Sequence, residues 1–447
     1  MSIMKTHVKS PTVPAGFIAA AESLANLYGS AQEALKARRL EALQAFTSTG
    51  VPDSRHEEWK YLDLSPIAST EFVHTAPLDF FSVDAAQAKS FRMAGKDAFF
   101  MVIENGSLNE QASEIDRLPA GIRVGGFSAL GADPRVRDHL FCHAGVEGES
   151  FVALNTMLSY DPVIMLVDQN VRIDTPLQFA FVTVSGNSPL AVQPRLLIVL
   201  EEGSECTVLE SHHTSGDGAR IFVNAVTETV IARNARLHHV KVQNESSSTR
   251  HISYHKVNLA AESSQYLTTI TLGGAMVRNN LNIRLDGEQI NTWLNGLYVL
   301  RDDQVVDNHT LVDHAMPHCF SSELYKGIID DNAKGVFNGK IWVRQDAQKT
   351  NAYQSNKNLL LSNEASMNTK PQLEIYADDV KCSHGATTGQ LDDDALFYLR
   401  ARGIGESAAR ALLNHAFAAD VIEQVENEDI KLALLNLLDD TLGSAGN

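Results

Sequence analysis

The sequence has little cysteine and, for its length, a deficit of positive charge. Its 447 residues include four cysteines and no CxxC pair, which excludes a disulfide scaffold and a self-contained zinc module and fits a reducing compartment. The 37 Lys and Arg are outnumbered by 55 Asp and Glu, for a net charge of −18. Because a field of this sign repels phosphate backbones, general nucleic-acid binding is not expected.

Long hydrophobic runs are also missing. The longest charge-free stretch, residues 175–194, contains Pro176, Pro189 and Pro194, whereas a membrane-spanning helix needs about 20 mainly apolar residues. The apolar patch at residues 16–21 is too short for a secretory signal. We therefore expect a cytoplasmic protein without a membrane segment.

What the sequence does contain suits a folded protein with a sizeable core. Hydrophobic residues make up 44% and charged residues 21%, which excludes wholesale disorder. The first region, 1–150, is helical or mixed in character. Within it, residues 19–46 carry leucines at mixed helical spacing, which predicts either one amphipathic helix or a broken pair of helices.

Residues 151–388 are rich in short β-type runs separated by small or acidic turn residues. Four of these turns, at Gly203, Asn234, Glu262 and Gly287, are 31, 28 and 25 residues apart. The next, at Asn332, follows after 45 residues, an interval compatible with two shorter coils. A strand–turn–strand unit that recurs every 20–30 residues is typical of a β-solenoid. The alternative is a large β-sandwich, whose turns are closer together.

Residues 389–447 predict a small acidic helical domain. Acids at 392–394 begin one helix, which Gly403 can end, a second begins at Glu406, and a third covers about 429–438. We expect an apolar face on the second helix, including Leu412, to pack on the solenoid or on a partner.

Two apparent nucleotide or DNA motifs fail on inspection. Gly339-Lys340 lacks the phosphate-loop pattern, because Lys334 and Ile341 stand where Gly and Ser or Thr are required. We therefore expect no nucleotide bound by this chain. The turn at residues 402–405 faintly resembles a helix-hairpin-helix DNA contact, but the acidic surroundings favour a simple turn between helices.

Histidines cluster between His309 and Cys319, with His314 and His318 between them. Neighbours on a strand point to opposite faces, so we expect buried polar stacking rather than a metal cluster, and a role for Cys319 stays open. The adjacent pairs at 212–213 and 238–239 are interpreted as surface or stacking positions.

The segment around Cys382 and His384 is the sharpest candidate site. On a continuing strand these two side chains share a face and lie roughly 7 Å apart. A thiolate and an imidazole suit iron–sulfur and zinc sites, but two ligands make only half a site. Structural burial and a nucleophile–base pair are the alternatives that the residues leave open.

A different class of function, a β-helix polysaccharide lyase or hydrolase, requires clustered acids on exposed coils. Asp302, Asp303 and Asp307 are the candidates for such a site. The absence of a secretory signal counts against this alternative.

Several motifs resemble those of one family. The run TKPQLEIYADDVKCSHGAT at residues 369–387 is similar to the signature of the SufD family, the scaffold subunits of the SUF iron–sulfur cluster assembly system. EEWKY at 57–61, FNG at 337–339 and FYLRARGI at 397–404 resemble further segments of the family, and the resemblance extends over most of the chain.

The resemblance implies a mainly β fold, with a right-handed parallel β-helix flanked by N-terminal and C-terminal helical domains. It also implies pairing with a SufB-like paralogue through coils near the C-terminal end of the β-helix, or a homodimer when the chain is alone. A SufC-like ATPase would bind residues 389–447, around Arg402, Gly403 and Ile404.

The resemblance also implies a role for the candidate site. Cys382 and His384 match the Cys-x-His of the family without a gap, and His384 would face the SufB-like partner. There the two residues would help to hold a transient iron or iron–sulfur cluster shared with that partner, which would supply a cysteine and acids. The chain itself would be a non-catalytic scaffold that helps iron entry.

Overall fold

The computed structural model describes residues 12–25, 33, 35–74, 82–216 and 218–443. The α-helices in this part of the chain are α1 Ala15–Ala25, α2 Lys36–Thr49, α3 Ser65–Ser69, α4 Ala85–Ala88, α5 Phe127–Leu130, α6 Pro134–His139, α7 Ser150–Leu158, α8 Asp393–Arg400, α9 Glu406–Ile422 and α10 Glu428–Gly443. Short 3-10 turns cover Glu57–Trp59, Lys89–Phe91 and Ile115–Arg117.

The strands form two long sheets. In chain order they are β1 Val73–His74, β2 Phe99–Glu104, β3 Ser107–Leu108, β4 Ile122–Gly126, β5 Val163–Val167, β6 Leu177–Val184, β7 Leu190–Val192, β8 Arg195–Leu200, β9 Glu205–Ser215, β10 Ile221–Ile231, β11 Arg236–Asn244, β12 Thr249–Leu259, β13 Ser264–Thr271, β14 Met276–Leu285, β15 Asn291–Leu300, β16 Val305–His314, β17 Phe320–Ile329, β18 Lys334–Val343, β19 Asn351–Leu360, β20 Ser366–Ile375 and β21 Lys381–Gly389.

Consecutive strands alternate between the two sheets. The first sheet has the order β20-β18-β16-β14-β12-β10-β8-β5-β4, and the second has β21-β19-β17-β15-β13-β11-β9-β6-β2-β3. From β5 onward the pairing is parallel, and register partners lie between 26 residues apart, as for Arg250 and Met276, and 33 apart, as for Val163 and Leu196. Each coil therefore stacks on the preceding one, which confirms the β-helix and excludes the sandwich.

Most corners from the first sheet to the second have a residue with a left-handed backbone; the corner between β20 and β21 has none. The residues with positive φ at these corners are Asn170, Gly203, Asn234, Glu262, Gln289, His318 and Lys349. Asn332 lies instead at the opposite corner, beside Asp331 with φ 49°, between β17 and β18. The expectation of two shorter coils between Gly287 and Asn332 was wrong. Each coil has two corners, and this interval runs from a corner of the first kind to a corner of the second kind, so that it contains the three strands β15, β16 and β17.

The inside of the stack is apolar along one side and polar along the other. Val208, Leu237, Leu267 and Leu294 belong to one continuous buried cluster that follows the coils. Other inward positions carry buried Glu, Gln, His, Lys and Thr side chains. The polar side is the less common arrangement, because a buried polar group must find a hydrogen-bond partner.

The N-terminal helices cover the outer face of the first sheet. Phe17 of α1, Phe46 of α2 and Leu154 of α7 pack in one cluster with Phe222 of β10 and Ile252 of β12. The described residues of the predicted helical stretch at 19–46 fall mainly in α1 and α2; most of the residues between these two helices lie outside the described part of the chain. Strands β2 and β4, from the same region, pair with β6 and β5 of the rod.

The C-terminal helices cover the outer face of the second sheet. Val421 and Ile422 of α9 and Leu434 of α10 pack with Val240, Leu297 and other outward residues of the rod. Lys326 of β17 donates to the carbonyl of Phe417 at 2.9 Å and pairs with Asp420. Leu412, expected on the packing face, is instead 52% exposed. Within the described residues, none of the helices is both long and apolar enough to cross a bilayer.

Candidate functional site

The last coil leaves the rod open at its C-terminal end. Strand β21 pairs with β19, and it is the terminal strand of its sheet among the described residues. Eight of its nine residues are exposed, all except Cys382. Strand β20 terminates the other sheet, and its Pro371 lies opposite Gly339 of β18. Proline has no N–H to donate, and it is tolerated at such an edge because no neighbouring strand there requires that hydrogen bond.

Cys382 and His384 both lie on β21 in the register of inward-facing side chains. Cys382 pairs with Ala352 and His384 with Gln354, and both of these β19 side chains are buried. Cys382 is half-buried at the edge of a small apolar cluster that includes Ile341, and this burial raises the pKa of its thiol. His384 is exposed. The structure therefore brings the two predicted residues onto one face of one strand, at the mouth of the rod.

A buried carboxyl group lies beneath His384. Gln354, its register partner, donates a 2.6 Å hydrogen bond from Nε2 to Oε2 of Glu323 on β17. Burial raises the pKa of Glu323 to about 7, although hydrogen bonds from Thr310 and Gln354 favour the ionised form. Sequence reasoning missed this group, because Glu323 and His384 are 61 residues apart and only the stacking of three coils aligns them.

Hydrophobic side chains surround the open end. Tyr353 of β19 is 41% exposed, and Tyr376, just after β20, is 60% exposed. Exposed aromatic side chains next to an unpaired strand edge are typical of an interaction surface rather than of a solvated one.

The predicted partner-binding turn, Arg402 to Ile404, lies between α8 and α9. The Arg402 guanidinium lies 3.4 Å from the ring centroid of Tyr398, and Gly403 has φ 87°, a conformation that glycine adopts without strain. Phe397, on the same helix as Tyr398, is 72% exposed. Ile404 is half-buried. The turn and the exposed aromatics of α8 thus form one exposed surface.

The EEWKY segment has a structural role that its sequence did not indicate. Arg278 of β14 lies over the Trp59 ring at 4.5 Å and donates to the carbonyl of Glu58 at 2.7 Å. The same guanidinium pairs with Asp307 at 2.5 Å, and His309 Nδ1 is 3.1 Å from Glu58 Oε2. The segment is therefore docked on the outer face of the first sheet.

The residues between His309 and Cys319, for which buried stacking was expected, lie in different surroundings. His314 is buried inside the rod, where its Nε2 lies 2.9 Å from the Ser321 hydroxyl, whereas His318 is an exposed corner residue. Cys319 is buried. Stacking was the right interpretation for His238, whose ring lies 4.5 Å from that of Tyr266.

Of the two alternatives for His212 and His239, a surface position is wrong, whereas stacking is right for His212, whose ring stacks on that of Phe181. Both histidines are fully buried, because they fall on the inward register of their strands. The three aspartates proposed for a polysaccharide site are not brought together either. Asp307 is buried against Arg278, whereas Asp302 and Asp303 are at an exposed corner.

Comparison with known proteins identifies the family. Residues 181–417 match the model of the SUF system FeS cluster assembly SufBD core domain, and residues 20–179 match that of the SufBD protein N-terminal region. The chain belongs to the SufBD family. This confirms the family that the residues around Cys382 predicted, and it makes the chain an iron–sulfur cluster assembly protein of the SufD type.

Relatives of the SufBD family match this chain along most of its length. An iron–sulfur cluster assembly SufBD family protein of Synechocystis is 34% identical over 89% of this chain and 89% of its own. The iron–sulfur cluster assembly protein SufD of Escherichia coli is 33% identical over 88% of this chain and 90% of its own. The chloroplastic protein ABCI7 of Arabidopsis thaliana is 31% identical over 92% and 87%.

Proposed function

We propose that the chain is a non-catalytic scaffold subunit whose open end meets a SufB-like paralogue. The observation that carries the proposal is the position of Cys382 and His384 on β21, a terminal strand with an exposed edge. Unpaired N–H and C=O groups along a strand edge pair readily with a strand of another chain. The aromatic side chains around this end add apolar area to such a contact.

The shared surface completes the half-site. One thiolate and one imidazole are suitable ligands for iron or an iron–sulfur cluster, but such clusters usually have four protein ligands. In this proposal the SufB-like partner supplies a cysteine and acids, and the iron or nascent cluster is the cargo held between the two chains. When the paralogue is absent, the same edge pairs with a second copy of this chain.

The C-terminal helical region, 389–447, binds a SufC-like ATPase in this proposal. Support comes from the exposed Phe397 and Tyr398 beside Arg402, a surface that the rod does not cover. This chain supplies no phosphate loop, so the nucleotide belongs to the partner. Regions 1–150 and 151–388 form the remaining domains, and Lys326 and Asp420 connect the β-helix to the helices.

ATP-dependent dimerisation of the SufC-like subunits would then move the helical regions and open the seam at β21. Such switching requires that ATP binding stabilises the open and closed arrangements differently. The open arrangement exposes Cys382 and His384 to iron and sulfide, and this is how the scaffold helps iron entry.

The test is the iron and sulfide content of the assembled complex. The chain is co-expressed with its SufB-like and SufC-like partners and purified without oxygen, as wild type and as His384→Ala. His318→Ala, at an exposed corner two coils away from β21, is the matched control. We expect His384→Ala to lower iron and sulfide several-fold while the complex keeps its size on gel filtration. Wild-type iron content in His384→Ala would refute the ligand role.

A further inference from the structure

A second group of potential ligands lies inside the rod, far from its open end. His212 of β9, His251 of β12 and Glu245, at the corner between β11 and β12, are all buried, and one ligand atom from each lies within 4.8 Å of the others. Two imidazoles and one carboxylate are the ligand set of many zinc and non-haem iron(II) sites.

Each of these ligands is held in place by a neighbouring group. His212 Nε2 is 2.8 Å from Glu210 Oε1, and the ring stacks on Phe181 with centroids 4.8 Å apart. His251 Nδ1 is 2.7 Å from Glu245 Oε2. The Glu210 carboxylate on Nε2 selects the His212 tautomer that leaves a lone pair on Nδ1, as is usual for metal-binding histidines. His251 Nδ1 and the Glu245 oxygen, in contrast, face each other as two atoms of the ligand group.

Polar atoms without partners mark the same place. Among the described residues, His251 Nε2 and the side-chain oxygen of Gln243 are buried and have no hydrogen-bond partner. Both residues are bonded to Glu245, since Gln243 Nε2 donates to its carboxylate at 2.7 Å. An unmet buried polar atom costs about 1–3 kcal/mol. The hydrogen bonding of the residues that contact Glu245 is therefore incomplete in the chain alone.

The charges around the group favour a cation. Glu210 and Glu245 contribute two carboxylates, and Lys241, 3.9 Å from Glu210, contributes one positive charge. The two carboxylates outnumber the one lysine, so a cation would balance the charge of the group.

We propose that His212, Glu245 and His251 bind one divalent first-row transition-metal ion, of the Zn²⁺ or Fe²⁺ type, inside the β-helix. Ligand atoms of a tetrahedral zinc site are about 3.4 Å apart, so the widest pair must close by at most roughly 1.4 Å. Between β11 and β21 there are five rung steps of about 4.8 Å each. The site is therefore independent of the seam proposed for Cys382 and His384.

The test measures metal bound to the full-length chain. The protein is purified without chelators from cells grown with added Zn²⁺ or, anaerobically, Fe²⁺, and metal is counted by plasma mass spectrometry. We expect about one ion per chain in the wild type, and at least a roughly tenfold loss in His212→Gln and His251→Gln, as for other removed metal partners. His314→Gln, another buried histidine inside the rod, is the matched control and keeps the ion.

The double variant Cys382→Ser/His384→Ala separates this site from the proposed function, because it should keep the ion while losing cargo in the complex. X-ray absorption spectroscopy of the metal-loaded wild type does not depend on the folding of any variant. It should show nitrogen and oxygen ligands at about 2.0–2.1 Å, including imidazole, and no sulfur ligand. A wild type with no bound metal after both growths, undiminished metal in both glutamine variants, or sulfur in the first shell would overturn the proposal.

Discussion

His384 lies one rung above Gln354 in the inward column of the second sheet, and Gln354 in turn donates a hydrogen bond to the buried Glu323. The exposed imidazole at the mouth of the rod is thereby connected in space to a carboxyl group that burial shields from water. A protonated Glu323 can lie there without a counter-charge, whereas an ionised one requires a cation.

The pKa of Glu323 predicts a pH dependence of stability. Its folded pKa, about 7, is above the usual glutamate value of 4.5, so the folded state binds the proton more tightly. Stability from this group is present below pH 4.5 and is lost as the pH rises through 7, by up to about 3 kcal/mol. Glu323→Gln should remove this loss and be more stable than the wild type at pH 8. Urea unfolding at pH 5 and pH 8 measures the difference.

The exposed Glu364→Gln is the control for Glu323→Gln, and its unfolding should follow the wild type at both pH values. If Glu323→Gln also follows the wild type at pH 8, the carboxyl group is not strained in the folded protein.

Removal of Arg278 should strongly destabilise the chain. Arg278→Ala leaves Asp307 buried without its partner and frees Trp59 and the carbonyl of Glu58. Breaking a buried ion pair from one side costs about 3–5 kcal/mol. Arg284→Ala removes a more exposed ion pair of the same strand and should cost less than about 1 kcal/mol. Equal unfolding midpoints of the two variants in urea would contradict the docking role of Arg278.

Two glycines should respond differently to alanine. A Cβ at Gly327 would lie 2.2 Å from the Tyr298 ring, whereas a Cβ at Gly385 of β21 meets nothing within 4 Å. Overpacking a core costs about 1–3 kcal/mol, so Gly327→Ala should lower the thermal unfolding temperature, and Gly385→Ala should leave it unchanged in the isolated chain. A lowered temperature in Gly385→Ala alone would mean that the open end is already filled.

The turn at Arg402 should control binding of the ATPase. Arg402→Glu removes the cation from Tyr398 and adds a negative charge to an already acidic region, so co-purification with a SufC-like ATPase should fall at least several-fold. Arg284→Glu makes the same charge change on the rod and should leave binding intact. Undiminished co-purification of Arg402→Glu would exclude this turn from the ATPase surface.

The repeat could be predicted from sequence because its corners require particular residues. Gly203, Asn234 and Glu262 were identified as turns, and each has the left-handed backbone of a first corner. The error at Asn332 has the same origin, since a sequence shows that a corner exists and not which of the two corners it is. The C-terminal helices were also predictable, because Asp392 caps α8 and Gly403 follows it.

The environment of the site could not be predicted from local sequence. Whether a strand is buried depends on whether another coil stacks on it. Residues 381–389 do not indicate that β21 is the last strand of its sheet. Pro371 on β20 is a sign that the stack ends here, because proline is found at sheet edges. The column of Glu323 under His384 and the convergence of His212 on His251 depend on pairing across whole coils. For the adjacent histidines the sequence therefore left surface and stacking positions open, and only the register shows that one of each pair lies inside.

Hydrogen exchange of the β21 amides most directly tests whether the open end is the partner surface. Exchange is followed at residues 381–389 in the chain alone, at a concentration where it is monomeric, and after addition of the SufB-like paralogue. We predict that the paralogue slows exchange there at least about tenfold, because a partner strand satisfies the free edge. A stable complex in which the β21 amides exchange as fast as in the monomer would contradict it.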